Sequence, residues 1–262
     1  MGVLPFLPFL VYHDVVATPV SLYDISEADF ESHLDLIERG GWSTVSVRAF
    51  LDWRSGEGTI SDRHLVLTFD DGYAGHGENV FPLMAGRGMT ATFFVIAGLV
   101  GKKGYLSWDQ IIEMDKAGME IGSHGLSHRP LPAMSGADLR RELRMSRSII
   151  SGRLGHPVDL LSVPRGYYSR RVREYAAGAG YRAVCTSRIS YNNRFSDPLN
   201  LCRIWVRGRG DIEAVLEGRR SRIVLRRFVQ MGRELAKASL GYSLYNGLRR
   251  KLLGDRAGKA QD

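Results

Sequence analysis

Two short segments, Thr68-Phe69-Asp70-Asp71-Gly72 and His124-Gly125-Leu126-Ser127-His128, hold paired carboxylates and paired histidines. These are the residue types that bind a divalent cation and move protons. Each follows an apolar run of strand character, residues 65–69 and 119–123, so the polar groups fall where a strand ends and a loop begins. Together they supply three metal ligands and a spare carboxylate, the minimum for metal-assisted hydrolysis. Each motif alone has a plainer reading. Asp-Gly is a common turn dipeptide, and His124 with His128 has the spacing of a solvated i, i+4 pair. Two such motifs at two strand ends favour a site over two coincidences.

Those positions need a scaffold. Strand-type runs occur at residues 6–12, 44–47, 65–69, 90–96, 119–123, 160–163, 182–186 and 202–206. Helical patterns lie between them. Ser26 precedes Asp29 at capping spacing, Phe30, Leu34 and Ile37 share a face, and Gly40-Gly41 stops the run. Ser107 with Gln110 opens a helix that Gly118 ends, and Ser135 with Asp138 opens one that ends near Gly155. Alternating strands and helices predict an α/β fold with a parallel sheet, open or closed into a barrel. In such barrels chemistry sits at the carboxyl ends of the strands. His13, Asp70-Asp71, His124 and Arg165 all fall at such ends. His33, His64, His76 and His156 lie in helical or polar stretches and are expected at the surface.

These motifs resemble the polysaccharide deacetylases of carbohydrate esterase family 4, the NodB-homology domain. The resemblance rests on Thr68–Gly72 and on Ile121-Gly122-Ser123 leading into His124–His128, with the helix start Ser107-Trp108-Asp109-Gln110-Ile111. It covers roughly residues 9–206. It implies a distorted (β/α) barrel of the NodB-homology type that removes acetyl groups from N-acetylated amino sugars. By position it implies Asp71, His124 and His128 as metal ligands, Asp70 as the catalytic base, and a divalent metal, zinc first among them. The allocation is physically reasonable, because successive side chains at a strand end diverge. A bound metal lowers the pKa of water from ~15.7 towards ~7, so a modest base suffices.

Two departures from the family pattern stand out. The family's usual acid is a histidine in a Leu-x-His segment, where this chain has Leu201-Cys202-Arg203. Tyr12-His13-Asp14-Val15 instead resembles the subgroup whose acid comes from the N-terminal side, as in the poly-N-acetylglucosamine deacetylases. His13 is therefore assigned as general acid. The family's Arg-Pro-Pro-Tyr-Gly segment aligns with Ser162-Val163-Pro164-Arg165-Gly166, so the arginine that pairs with the base is missing at that place. The backbone N–H of Arg165 is retained as oxyanion donor.

Composition bounds the rest. The 262 residues suit one large α/β domain or one domain with an appendage. Cys185 and Cys202 sit in apolar runs and do not form a disulfide framework. The opening residues lack a basic n-region, and no run approaches ~20 apolar residues, so a cytoplasmic protein, or one peripheral on the inner face of a membrane, is expected. Residues 207–262 hold 14 Lys+Arg against 6 Asp+Glu, which leaves 22 of each, and no net charge, for residues 1–206. A deacetylase domain over 1–208 and a basic amphipathic helical tail over 209–262 are expected. The tail stripe Val224, Phe228, Met231 and Leu235 has two readings, a helix packed on the barrel or an interfacial helix on anionic lipid. Nucleic-acid binding has no fold motif behind it. The substrate expected is an N-acetylated poly- or oligosaccharide or lipid-linked glycan. Hydrolysis of another non-peptide C–N bond in a small amide, or non-catalytic carbohydrate binding, are the alternatives.

Overall fold

The computed structural model describes residues 6–219 and Leu225. Its strands are β1 (Phe9–Tyr12), β2 (Asp14–Val16), β3 (Asp24–Ser26), β4 (Ser43–Thr44), β5 (His64–Phe69), β6 (Thr92–Val95), β7 (Glu120–Ser123), β8 (Leu160–Ser162), β9 (Ala183–Cys185) and β10 (Ile204–Trp205). The main sheet runs β10-β1-β5-β6-β7-β8-β9, with β4 added beside β5, and every pairing is parallel. Cys185 of β9 bridges in parallel to Leu201, just ahead of β10. The two ends of the sheet thus approach each other, as in a distorted barrel. All eight runs expected from sequence contribute a strand to this sheet. Only the small β2–β3 pair was not anticipated.

The helices are α1 (Glu27–Arg39), α2 (Val47–Ser55), α3 (Phe81–Ala85), α4 (Trp108–Lys116), α5 (Gly136–Leu154), α6 (Arg170–Gly178) and α7 (Arg209–Leu216). The serine signals hold. Ser26 accepts from Asp29 N, Ser107 forms a capping box with Gln110, and Ser135 accepts from Asp138 N.

Side-chain alternation sorts each strand into an outer and an inner row. Leu65, Leu67, Phe93, Ile121 and Ile204 pack under the outer helices, and Leu161, Val163 and Val184 pack under α5 and α6. Phe9, Val66, Phe94, Leu160, Ala183 and Cys185 form a separate inner cluster with Val47, Phe50, Leu51 and Trp53 of α2. Phe9 and Phe50 meet edge to face at 5.2 Å, and burying a side chain such as Phe50 contributes about 1.5–3 kcal/mol. The helix α2 thus plugs the interior where an extension of the strand at 44–47 was expected. Ser46 caps α2, and the Glu120 carboxylate accepts from Val47 N at 2.9 Å and Arg48 N at 3.1 Å, so the chain turns helical at Val47.

Two histidines expected at the surface are fully buried. His33 lies on the same face of α1 as Phe30, Leu34 and Ile37, and its Nδ1 hydrogen-bonds the Tyr12 hydroxyl at 3.3 Å. His76 begins the π-helix His76–Val80 and packs against Phe69 and Phe93. The first residues of the expected tail join the body: Ile212, Ala214 and Val215 of α7 are buried, and α7 packs on α1. The stripe Val224, Phe228, Met231 and Leu235 lies outside the described residues. No helix among the described residues is long and apolar enough to cross a membrane.

Candidate active site

The alternation that builds the barrel also aims its chemistry. Continued past β5, the inner row Val66, Thr68 reaches Asp70. Continued past β7, the row Glu120, Gly122 reaches His124. Asp71 leaves this alternation because its backbone is left-handed, with φ 76°. Among the described residues only Asp71, His128 (φ 58°) and Arg165 (φ 57°) adopt positive φ without being glycine. Such a conformation costs about 1–3 kcal/mol and gathers at sites whose surroundings over-determine it. All three had been singled out from sequence as site residues.

Asp71, His124 and His128 offer one donor atom each within 4.8 Å of one another. Asp71 Oδ1 lies 3.3 Å from His124 Nε2 and 3.2 Å from His128 Nε2. His124 Nδ1 donates to the Ser162 carbonyl at 2.9 Å, which in the neutral ring leaves a lone pair on Nε2 facing Asp71. Asp71 Oδ1 is buried and has no hydrogen-bond donor. A buried carboxylate oxygen facing imidazole lone pairs is incomplete without a cation between them. The donor set therefore fits a divalent metal. Without a cation the rings could meet this oxygen only by carrying protons on Nε2, and in that state their hydrogen bonds and charge overcome burial and hold the Asp71 carboxyl well below the usual carboxylate range.

Asp70 turns the other way. Both of its oxygens accept from Arg203, Nη1 to Oδ1 and Nη2 to Oδ2, each at 2.7 Å. The guanidinium is 1% exposed, and its remaining N–H groups reach Ser162 Oγ at 2.9 Å, Thr68 Oγ1 at 3.3 Å and the Thr186 carbonyl at 3.0 Å. Burial raises the Asp70 carboxyl, but the charge and hydrogen bonds of Arg203 prevail and hold it at about 2. The arginine missing beside Pro164 is thus supplied from β10's approach. Ser162, which stands at the family arginine's place, receives one of its N–H groups. Sequence reasoning noted Leu201-Cys202-Arg203 only for the histidine it lacks. The signal was there: in residues 203–206 Arg203 and Trp205 alternate with the apolar Ile204 and Val206.

His13 follows β1 and completes the constellation. Its ring lies 5.0 Å from Tyr23 and 6.4 Å from Trp205, and Tyr23 stacks on Trp205 at 5.1 Å. Burial lowers the His13 pKa, while Asp71 and Asp70 pull it upward. His76, missed from sequence, donates through Nε2 to the His13 carbonyl, and Asn79 donates to Val15 O at 2.8 Å. Burial holds His76 at about 4, so it is a neutral donor that fixes the backbone beside His13. Arg165 sits in the 3-10 turn Pro164–Gly166 directly after β8, with its side chain exposed. Trp205 thus contacts the constellation through His13. The Tyr168 hydroxyl is spent on the Leu199 carbonyl. Asn192, next to Tyr191, bridges to Leu7 ahead of β1, at the opposite end from His13.

The family model for polysaccharide deacetylases matches residues 57–184, which contain Asp70, Asp71, His124, His128 and Arg165. Over this stretch the chain resembles the polysaccharide deacetylase family. YxkH of Bacillus subtilis (strain 168), which carries the polysaccharide deacetylase name, is 25% identical over 200 residues, 76% of this chain and 71% of that protein. A poly-beta-1,6-N-acetyl-D-glucosamine N-deacetylase of Staphylococcus aureus (strain MSSA476) is 26% identical over 125 residues, 45% of this chain and 43% of its own length. Among solved structures, IcaB from Ammonifex degensii superposes with a TM-score of 0.74 at 26% identity, covering 81% of this chain and 96% of that one. The Streptococcus pyogenes deacetylase PplD in complex with acetate gives a TM-score of 0.75 at 22% identity, covering 82% and 98%. That last likeness speaks to the fold alone.

Proposed function

We propose that this protein is a polysaccharide deacetylase, a metal-dependent hydrolase that removes acetyl groups from N-acetylated amino sugars of a poly- or oligosaccharide or lipid-linked glycan. The observation that carries this reading is the buried Asp71 Oδ1, 3.2–3.3 Å from two imidazole nitrogens and lacking any donor, beside a second carboxylate locked by Arg203. The similarity to a poly-beta-1,6-N-acetyl-D-glucosamine N-deacetylase supports the substrate class.

Asp71, His124 and His128 would hold the metal. A divalent cation there, zinc by the nitrogen-rich donor set, supplies Lewis acidity that acidifies water and polarises the amide carbonyl. That help is needed, because Asp70 at about 2 is too weak a base for ordinary water. Asp70 takes the proton of the attacking water, and Arg203 keeps its carboxylate ionised and aimed. As water oxygen adds to the acetyl carbon, the carbonyl oxygen gains negative charge, which the Arg165 backbone N–H would receive. His13 gives a proton to the sugar nitrogen, the C–N bond breaks, and acetate and a free amine leave. Tyr23 and Trp205 wall the site beside His13 and limit water there.

The test is metal analysis of the purified full chain, with acetate release measured on N-acetylated glycans and sugar nucleotides. Bound metal with acetate release is the expected result. Metal without acetate from any of them would move the activity to other small amides. Absence of metal after incubation with zinc would overturn the reading and leave carbohydrate binding. The arginine missing beside Pro164 does not by itself favour non-catalytic binding, because Arg203 pairs with Asp70 instead.

A further inference from the structure

His124 and His128 are held in different ways. The His124 ring is fixed by its own bond to the Ser162 carbonyl, and its backbone N–H pairs with Val95 O at 2.8 Å. Among the described residues no hydrogen bond to a second element fixes the His128 ring, so its place depends on the loop between the two histidines. That loop is gripped from both sides. On one side Ala97 N and Gly98 N donate to the carbonyls of Gly125 at 3.0 Å and Leu126 at 2.9 Å. On the other, Glu142 of α5 accepts from Leu126 N at 2.8 Å and Ser127 N at 2.7 Å, both on Oε1. The Ser127 hydroxyl also donates to this carboxylate, 3.0 Å from Oε1 and 2.9 Å from Oε2.

Glu142 is only 5% exposed, which is unusual for a carboxylate that has no cationic partner among the described residues. Its charge is satisfied by backbone N–H groups of the ligand loop, as a bound anion would be. The fit is close: Gly125 has φ 81°, and a Cβ there would lie 3.1 Å from Glu142 Oε1. The anchored N–H groups belong to the two residues preceding His128, whose own φ of 58° needs outside support.

We propose that Glu142 is a positioning residue for the metal site: by binding the Leu126 and Ser127 N–H groups it fixes the His124–His128 spacing and holds His128 towards Asp71. This rests on the metal-dependent reading given above. The carboxylate acts through the loop and touches neither substrate nor metal. Removing it leaves two N–H groups without their acceptor and lets His128 relax from its left-handed conformation.

The experiment measures the zinc dissociation constant of the full chain by competition with a chromophoric chelator, alongside thermal melting of the metal-free protein. The proteins are wild type, Glu142→Gln, Glu142→Asp and Glu142→Ala. Glutamine keeps an acceptor at the Oε1 position and should bind zinc within about threefold of wild type. Aspartate, one methylene short, keeps the charge but cannot reach both N–H groups, and should bind about 10–100-fold more weakly, as outer-shell substitutions do. Alanine should be at least as weak. A merely structural role would lower the melting temperature without moving zinc affinity in the folded variants. Wild-type affinity in folded Glu142→Asp would overturn the proposal, whether or not Glu142→Ala folds. Failure of wild type itself to bind zinc would sink the metal-dependent reading and this inference with it.

Discussion

The barrel interior and its rim treat two adjacent carboxylates in opposite ways. Asp70 and Asp71 are buried alike, at 4% and 6% exposed. Asp70 enters the interior and finds Arg203, which fills both of its oxygens. Asp71 turns onto the rim through a left-handed backbone and meets two imidazole nitrogens, with no donor for Oδ1. Burial therefore does not assign their roles. The supply of N–H groups separates them: the saturated carboxylate is held ionised and oriented, and the other is left open for the cation proposed above.

The largest effects should come from exchanging these roles. Asp71→Ala should lose its zinc, whereas Asp70→Asn should keep it and turn over about 10²–10⁴-fold more slowly. Elemental analysis beside acetate release decides this, and an Asp70→Asn protein as metal-poor as Asp71→Ala would break the comparison. Arg203→Met tests the interior alone. It strands Asp70 as a buried charge, so urea unfolding should show a loss of about 3–5 kcal/mol while the rim still binds zinc. Unchanged stability would mean that Asp70 finds another partner.

His13→Ala should leave zinc content unchanged and slow turnover about 100-fold, with loss of the basic limb of the activity–pH profile. Activity near wild type would place the acid elsewhere.

A smaller effect separates the two regions by pH. The folded Asp70 pKa of about 2 lies below its ordinary value, so the stability it contributes is complete above about 4 and is lost as pH falls towards 2. Buried His33, held at about 4 by loss of solvation, contributes stability that falls away between about 6.5 and 4. Urea midpoints across both windows should show the His33 slope in wild type and in Arg203→Met. The lower slope should be steeper in wild type than in Arg203→Met. An identical lower slope in both proteins would detach the acid response from the interior pair.

The smallest effect on either carboxylate should follow removal of the basic C-terminal residues. A chain ending at Arg219 retains α7, which packs on α1, and should keep its zinc and turnover. If the tail is the anionic-surface element that its charge suggests, the full chain should sediment with anionic vesicles at low salt and be released at high salt, and the shortened one should not sediment. Full-chain protein that ignores the vesicles would leave the packed-helix reading.

What was legible in the sequence is what local physics controls. Strand runs, capping serines and the two motifs depend on residues a few positions apart, and the sequence placed them well. The surface assignment of His33 and His76 failed because a polar residue on an apolar face is decided by what packs there, here Tyr12, Phe69 and Phe93. Alternation marked Arg203 as pointing away from Ile204 and Val206, yet not what it would meet.

By itself, then, the sequence determined that carboxylates and imidazoles would stand at the ends of parallel strands, because a period of two fixes a side chain's row wherever the strand goes. Only the tertiary structure decided which carboxylate is saturated and which is left open. Arg203 lies 133 residues from Asp70 along the chain, and Glu142 reaches its loop from a separate helix. Such partners are chosen by the approach of strands and helices through space. No local pattern in the chain encodes that approach.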